Sequence, residues 1–138
     1  RFAADAAQLA DKMGARFVRP GMLSPADADA LENSADVLVS LGNAYDNQMP
    51  SKLFGYFATG KPVLHLAVSE SDPTLPYLAR YPLALVLHAG EDVTPGVVAK
   101  LDKWLHDVKG KHLPFAEVAK LYPEFTPEKV AEAFLRGM

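Results

Sequence analysis

The feature that most constrains the fold is a set of short apolar runs that alternate with helical segments along the chain. Three of these runs are rich in branched residues and lie at Asp36–Leu41, Val63–Leu66 and Leu83–Leu87. Their length is typical of strands, and strands without polar alternation are typical of a parallel sheet that is covered on both faces. A shorter segment, Arg16–Arg19, is predicted as a further strand.

Helix starts are marked by a recurring pair in which Ser, Asp or Thr precedes Pro. The first residue of such a pair can cap a helix, and proline is accepted at the first helical position. The pairs are Ser24-Pro25, Asp72-Pro73, Thr94-Pro95 and Thr126-Pro127. Further helices are predicted at the start of the chain, where Ala6, Leu9, Ala10 and Met13 share a face, and at Pro50–Ala58 and Phe115–Leu121. This order predicts an α/β fold with a Rossmann-like parallel sheet and helices on both faces, as a single domain over residues 1–138.

Composition excludes several classes of function. The net charge is -3 without a long run of one sign, which argues against nucleic acid as a partner. The chain has no cysteine, so disulfides and thiolate chemistry are excluded, and no His, Asp and Glu pattern has metal-binding spacing. No apolar stretch has the length of a membrane span, and no signal peptide is visible. Because the first residue is Arg1 rather than Met, the chain is expected to be a piece of a larger protein.

The loop that follows Leu41 is the strongest candidate for a binding site. In open parallel sheets, ligands bind beyond the carboxyl ends of the strands. Gly42 lets the backbone approach a ligand, and the amides at the start of the next helix, at Pro50, Ser51 and Lys52, form a site for an anion. Lys52 opposes the helix dipole there, which favours a phosphate ligand. The alternative is a solvated lysine beside an ordinary helix start.

Other polar residues have simpler interpretations. Gly60-Lys61-Pro62 leads into a strand, whereas a phosphate-binding Gly-Lys-Ser/Thr loop enters a helix, so this turn is not an ATP site. His65 lies in an apolar strand and is predicted as a hydrogen-bonded buried residue rather than a catalyst. Glu70 and Asp72 follow that strand and could touch a ligand, although Asp72 could also cap a helix.

One long motif, Met49–Leu64, carries a family resemblance. Its pattern of Pro50-Ser51-Lys52 followed by Gly60-Lys61-Pro62-Val63 resembles the signature of family 4 retaining glycosyltransferases, which have the GT-B fold. Ala35–Val39 and Phe17–Gly21 resemble the family segments that precede it. The resemblance extends from about Arg16 to Leu87, and only the long motif is specific.

The resemblance implies a binding site for a nucleotide-diphosphate sugar, the donor substrate. The loop Gly21-Met22-Leu23 would contact the base, and the helix start would face the diphosphate. Family members carry two glutamates separated by seven residues, and the matching positions here are Asn47 and Gly55. Asn47 could bond sugar hydroxyls, whereas Gly55 offers no side chain to the ribose. The donor-binding residues expected on this basis are Gly21, Met22, Leu23, Gly42, Asn43, Asn47, Gln48, Met49, Pro50, Ser51, Lys52 and Gly55; no catalytic residue is identified.

The resemblance also implies how such a chain works. It would be the donor-binding, C-terminal half of a GT-B enzyme, truncated at its N-terminus and inactive alone, that moves a sugar to a glycan or lipid-linked acceptor. Its expected partners are the nucleotide sugar and a missing N-terminal acceptor-binding domain. No metal or other cofactor is expected, and the full enzyme would be cytoplasmic, with peripheral attachment to the inner face of the membrane as one option. The alternative is a catalytically lapsed Rossmann-like module for nucleotide binding or interaction.

The family sheet raises a question of completeness. It has six strands in the order 3-2-1-4-5-6, and the four predicted strands correspond to the third through sixth. Three ways of completing the sheet are considered: residues upstream of Arg1, direct pairing of Arg16–Arg19 with Asp36–Leu41, and strand exchange with a second chain. The first is favoured, because Arg1 is not a start residue and the opening helix resembles the family element that follows the second strand.

Overall fold

The protein is described by a computed structural model that covers residues 2–18, 20–42, 51–88, 90 and 93–125. The chain divides into two compact units, Arg1–Ala35 and Asp36–Met138. The first unit contains helices α1 (Phe2–Met13) and α2 (Pro25–Ser34), with a short 3-10 helix at Gly14–Arg16. The second contains β1 (Leu38–Leu41), α3 (Ser51–Thr59), β2 (Val63–Ala67), α4 (Leu75–Arg80), β3 (Ala84–His88), α5 (Pro95–Val108) and α6 (Phe115–Leu121), followed by a 3-10 helix at Pro123–Phe125.

The strands form one parallel sheet in the order β1-β2-β3. In its register Leu38 lies beside Val63, which lies beside Ala84. Helix α3 connects β1 to β2, and α4 connects β2 to β3, so each pair of parallel neighbours is joined by a helical crossover. The predicted α/β class with a parallel sheet is therefore confirmed.

The two faces of this sheet differ in burial. The buried face carries Leu38, Ser40, Val63, His65 and Ala67. On the opposite face of β1, Val39 is 50% exposed and Leu41 is 65% exposed. Strand β1 is therefore not buried on both sides, although its sequence is apolar. The prediction that helices cover both faces of the sheet stays a prediction.

The core of the second unit lies over the buried face of the sheet. It is built around α3, whose Leu53 and Phe57 are almost fully buried. The Phe57 ring stacks on Tyr81 and Tyr122, with centroids 4.6 Å and 5.0 Å away. The remaining core residues are Val63, Leu78, Leu83, Val108 and Val118. Burial of one side of α3 fixes this helix against the sheet and leaves Lys52 and Gly55 exposed.

The prediction of a strand at Arg16–Arg19 is wrong for the residues of this segment that the structure describes. Arg16 ends a 3-10 helix, and its side chain donates to the carbonyl of Met13. Val18 is 74% exposed, and Arg19 lies outside the described residues. The described residues of this segment, Arg16 to Val18, therefore do not form a strand.

The helix starts confirm two of the four Pro-based boundaries. The Ser24 hydroxyl accepts from the amide of Asp27 at the start of α2, and the Thr94 hydroxyl accepts from the amide of Val97 at the start of α5. Helix α4 begins at Leu75, two residues after the predicted Asp72-Pro73 start. The Thr126-Pro127 helix lies outside the described residues.

No helix within the described ranges combines the length and the apolar character that a membrane crossing requires.

Candidate functional site

Helix α3 is described over Ser51–Thr59, against the predicted range Pro50–Ala58, and Pro50 lies outside the described residues. Ser51 and Lys52 are the first two described residues of this helix, and Lys52 is exposed. The first-turn amides of any α-helix have no partner within the helix and carry partial positive charge. The helix follows β1 along the chain, and β1 ends at Leu41. An anion site at this helix start and an open cleft beside it both stay predictions.

Gly42, the residue after β1, is held in a confined position. Its amide donates to the carbonyl of Leu66 at 2.8 Å, which extends the pairing of β1 with β2 by one residue. A Cβ at Gly42 would lie 2.7 Å from the Oδ2 atom of Asp72 and 3.2 Å from the amide nitrogen of Val68. The structure thus gives a reason for glycine that differs from close approach to a ligand, because the space of the side chain is taken by Asp72.

Asp72 belongs to a buried polar network at the carboxyl ends of β1 and β2. The Nε2 atom of His65 lies 2.7 Å from Oδ2 of Asp72, and its Nδ1 atom lies 3.0 Å from the hydroxyl of Ser40. Thr74 donates its hydroxyl and its amide to Oδ1 of Asp72 at 2.6 Å and 2.9 Å. All four side chains are buried. The prediction that His65 is a buried, hydrogen-bonded strand residue is confirmed.

The direction of these hydrogen bonds follows from the charge of Asp72. Burial raises the pKa of Asp72, but hydrogen bonds from Thr74 and His65 outweigh burial and leave this pKa below its ordinary value. An ionised carboxylate only accepts, so Nε2 of His65 donates to Asp72, and Nδ1 of a neutral ring accepts from Ser40. Asp72 is only 3% exposed, so it is not available to touch a ligand, whereas Glu70 is exposed.

The Gly60-Lys61-Pro62 part of the motif forms a tight turn from α3 to β2. Gly60 has a φ of 76°, and a Cβ there would lie 2.0 Å from the carbonyl oxygen of Leu113. The amide of Leu113 donates to the carbonyl of Gly60 at 2.8 Å, and the Tyr81 hydroxyl donates to the carbonyl of Lys61 at 2.8 Å. The predicted turn from a helix to a strand is confirmed.

The other predicted site residues fall into three groups. Gly55 lies on α3, is exposed, and has open space where a Cβ would be. In the first unit, Gly21 has a φ of 76°, Met22 is fully exposed and Leu23 is half-buried. Residues outside the described ranges are Asn43, Asn47, Gln48, Met49 and Pro50. Their roles stay predictions.

The described ranges contain no group of three or more His, Asp or Glu side chains arranged to hold a metal ion.

Comparison with known proteins gave no match to a protein-family model, to a curated protein or to a solved structure.

Proposed function

We propose that this chain binds a nucleotide-diphosphate sugar at the carboxyl ends of its strands, as the donor-binding half of a GT-B glycosyltransferase. The observation that supports the proposal is that Ser51 and Lys52 are the first two described residues of α3, the helix that follows β1 along the chain. Parallel α/β sheets bind ligands at the ends of their strands, and helix starts bind phosphates. The Met49–Leu64 motif resembles the family signature. This resemblance is the reason for proposing that the diphosphate ligand carries a sugar.

The charge of Lys52 supports a phosphate ligand. A cation in the first turn is repelled by the partial positive charge of the helix start, at a cost of up to about 1 kcal/mol. A bound diphosphate would offset that repulsion, because the helix amides and the ammonium group of Lys52 would both be attracted to the same anion. No metal is proposed at this site, because helix amides and basic side chains would meet the charge of the diphosphate.

In this proposal the full protein is the enzyme. Transfer of a sugar to a glycan or lipid-linked acceptor would need the acceptor-binding domain that precedes the donor-binding domain in GT-B enzymes. The cytoplasm, where nucleotide sugars are made, is the proposed compartment, and attachment of the full enzyme to the inner face of the membrane is compatible with a lipid-linked acceptor.

Replacement of Lys52 by alanine tests the anion site. We expect Lys52→Ala to weaken binding of UDP or GDP by about 1–3 kcal/mol, because a charged hydrogen bond to phosphate is lost. Isothermal titration calorimetry measures the affinity, and Lys100→Ala is the matched control because Lys100 is an exposed lysine on α5. Equal affinities of the two variants would show that Lys52 is an ordinary solvated lysine.

A specific observation keeps the second candidate, a lapsed binding module, in consideration. Gly55 leaves the family position for the ribose-binding glutamate without a side chain, although the space around it is open. A module that has lost catalysis can keep the diphosphate contacts at α3 while it loses ribose contacts.

Restoring the carboxylate at Gly55 tests whether the ribose of a bound nucleotide lies beside this position. Gly55→Glu and Gly55→Ala should both stabilise α3 by about 0.5–1 kcal/mol, because glycine is a poor helix former. Only Gly55→Glu should raise the affinity for UDP or GDP, by roughly 1 kcal/mol, if its carboxylate accepts from the ribose hydroxyls. Thermal melts and calorimetry check both effects. Identical nucleotide affinities for the Glu and Ala variants would mean that the ribose does not lie beside this position.

A further inference from the structure

Strand β1 buries its polar residue and exposes the apolar residues on either side of it. Ser40 is 5% exposed, whereas Val39 and Leu41 are 50% and 65% exposed. Successive residues of a strand point to opposite faces, so a shift of β1 by one residue would exchange the two sets. The shifted strand would bury Val39 and Leu41 and expose the Ser40 hydroxyl, which is the arrangement that the hydrophobic effect favours. Another interaction therefore holds β1 in the observed register.

The hydrogen bond between Ser40 and His65 supplies that interaction. The two residues are direct partners in the register of β1 and β2, and the Ser40 hydroxyl lies 3.0 Å from Nδ1 of the ring. His65 is fully buried, so a shifted β1 would place an apolar side chain beside Nδ1 in place of the hydroxyl. A buried polar atom that loses its partner is costly, and selection of register is the best-attested role of buried polar pairs.

Asp72 fixes the orientation of the His65 ring. Nε2 of the ring lies 2.7 Å from Oδ2 of Asp72, whose Oδ1 atom accepts from the hydroxyl and the amide of Thr74. The ring cannot turn away from Ser40 without losing its bond to Asp72. The carboxylate also opposes a shift directly, because Oδ2 lies 2.7 Å from the position of a Cβ at Gly42. Both chain neighbours of Gly42 carry a Cβ, so a shift of one residue in either direction would meet this oxygen.

We propose that Ser40, His65 and Asp72 form a register lock, which decides which face of β1 is buried and overrides the apolar pattern of that strand. The lock concerns the fold and is independent of what the chain binds. The alternative is that these residues add stability without selecting the register. In that case their loss would loosen β1 but leave its two faces unchanged.

Single cysteines in the full chain distinguish these alternatives, because the chain itself has no cysteine. Leu41→Cys places a thiol on the exposed face of β1. Leu38→Cys places one on the buried face, where Leu38 is 6% exposed. Labelling with N-ethylmaleimide, followed by mass spectrometry, measures how accessible each thiol is. A change of register exchanges the two faces, whereas loosening of the strand exposes both.

Variants of His65 separate the lock from a general loss of stability. His65→Leu removes both hydrogen bonds of the ring at similar volume. His65→Asn keeps an amide near the position of Nδ1 that can bond to Ser40, whereas His65→Gln reaches towards Asp72 instead. Val108→Ala is the control, because Val108 is a buried core residue of α5 outside the lock. All rates are compared under conditions in which circular dichroism shows that every variant is folded.

In the native background, the thiol of Leu41→Cys should react about tenfold faster than that of Leu38→Cys, because only the second is protected by burial. With His65→Leu the two rates should change in opposite directions, to about threefold slower for Leu41→Cys and about tenfold faster for Leu38→Cys. His65→Asn and Val108→Ala should keep the native order. If His65→Leu does not fold, His65→Gln must show the same opposite changes.

Three results would overturn the proposal. Faster labelling of Leu38→Cys with unchanged labelling of Leu41→Cys shows that loss of the lock only loosens β1. Unchanged rates for both thiols show that the register does not depend on His65. Opposite changes in Val108→Ala of the same size as in His65→Leu show that any loss of stability shifts the strand.

Discussion

Replacing Gly60 by alanine is expected to destabilise the protein by about 3–5 kcal/mol. Two costs add at this position. The φ of 76° is unfavourable for a residue with a Cβ, and the added carbon would lie 2.0 Å from the carbonyl oxygen of Leu113. Leu113 is bonded to the backbone of Gly60, so relief of the clash would break that hydrogen bond. Urea denaturation followed by circular dichroism measures the loss.

The matched control is Gly110→Ala. Gly110 has a φ of 73°, close to that of Gly60, but no atom lies within 4 Å of the position of its Cβ. This variant should therefore lose only the stability that corresponds to the unfavourable backbone conformation, about 1–2 kcal/mol. Equal losses of unfolding free energy in Gly60→Ala and Gly110→Ala would contradict this explanation, because they would show that the clash with Leu113 adds nothing to the backbone cost.

Removal of the Asp72 carboxylate should have an effect of similar size. Asp72→Ala leaves the Nε2 proton of His65 and two donors of Thr74 buried without their acceptor, which we expect to cost about 3 kcal/mol or more. Asp72→Asn should cost less, because its oxygen can still accept from Thr74 while the His65 ring changes tautomer to accept from the amide. Urea denaturation at pH 7 compares these variants.

The same carboxylate predicts a pH dependence with a definite sign. The pKa of Asp72 is lowered in the folded chain, so its contribution to stability is present above the unfolded pKa and is lost as pH falls through the folded one. The native chain should therefore lose stability below about pH 4, and Asp72→Ala should lose less over that range. The free energy of unfolding of both proteins can be measured as the pH is lowered. If it falls equally steeply with pH in the native chain and in Asp72→Ala, the acid sensitivity does not come from Asp72.

What the sequence predicted well depends on local patterns. The strands at Val63–Ala67 and Ala84–His88 follow from branched apolar runs, and the starts of α2 and α5 follow from Ser24 and Thr94 before proline. Each of these signals lies within a few residues of the structure it specifies, so no knowledge of the rest of the fold is required.

What the sequence could not predict depends on residues far apart along the chain. The network joins Ser40 to His65 across 25 positions, and the space for a side chain at Gly60 is closed by Leu113. The predicted strand at Arg16–Arg19 failed for the same reason, because a strand depends on a partner that local sequence does not reveal. For the candidate site, a helix that includes Ser51 and Lys52 was predictable from the sequence, whereas the contact between Gly42 and Asp72 was not.

The most direct test of the donor site is an NMR titration of the ¹⁵N-labelled chain with UDP and with GDP, compared with uridine monophosphate. The account predicts saturable shifts that are largest at the amides of Ser51, Lys52 and Leu53, and a weaker response to the monophosphate, because the helix start binds the diphosphate. Absence of a saturable shift with both diphosphates, or shifts centred away from the start of α3, would contradict the proposal that this chain binds a nucleotide-sugar donor.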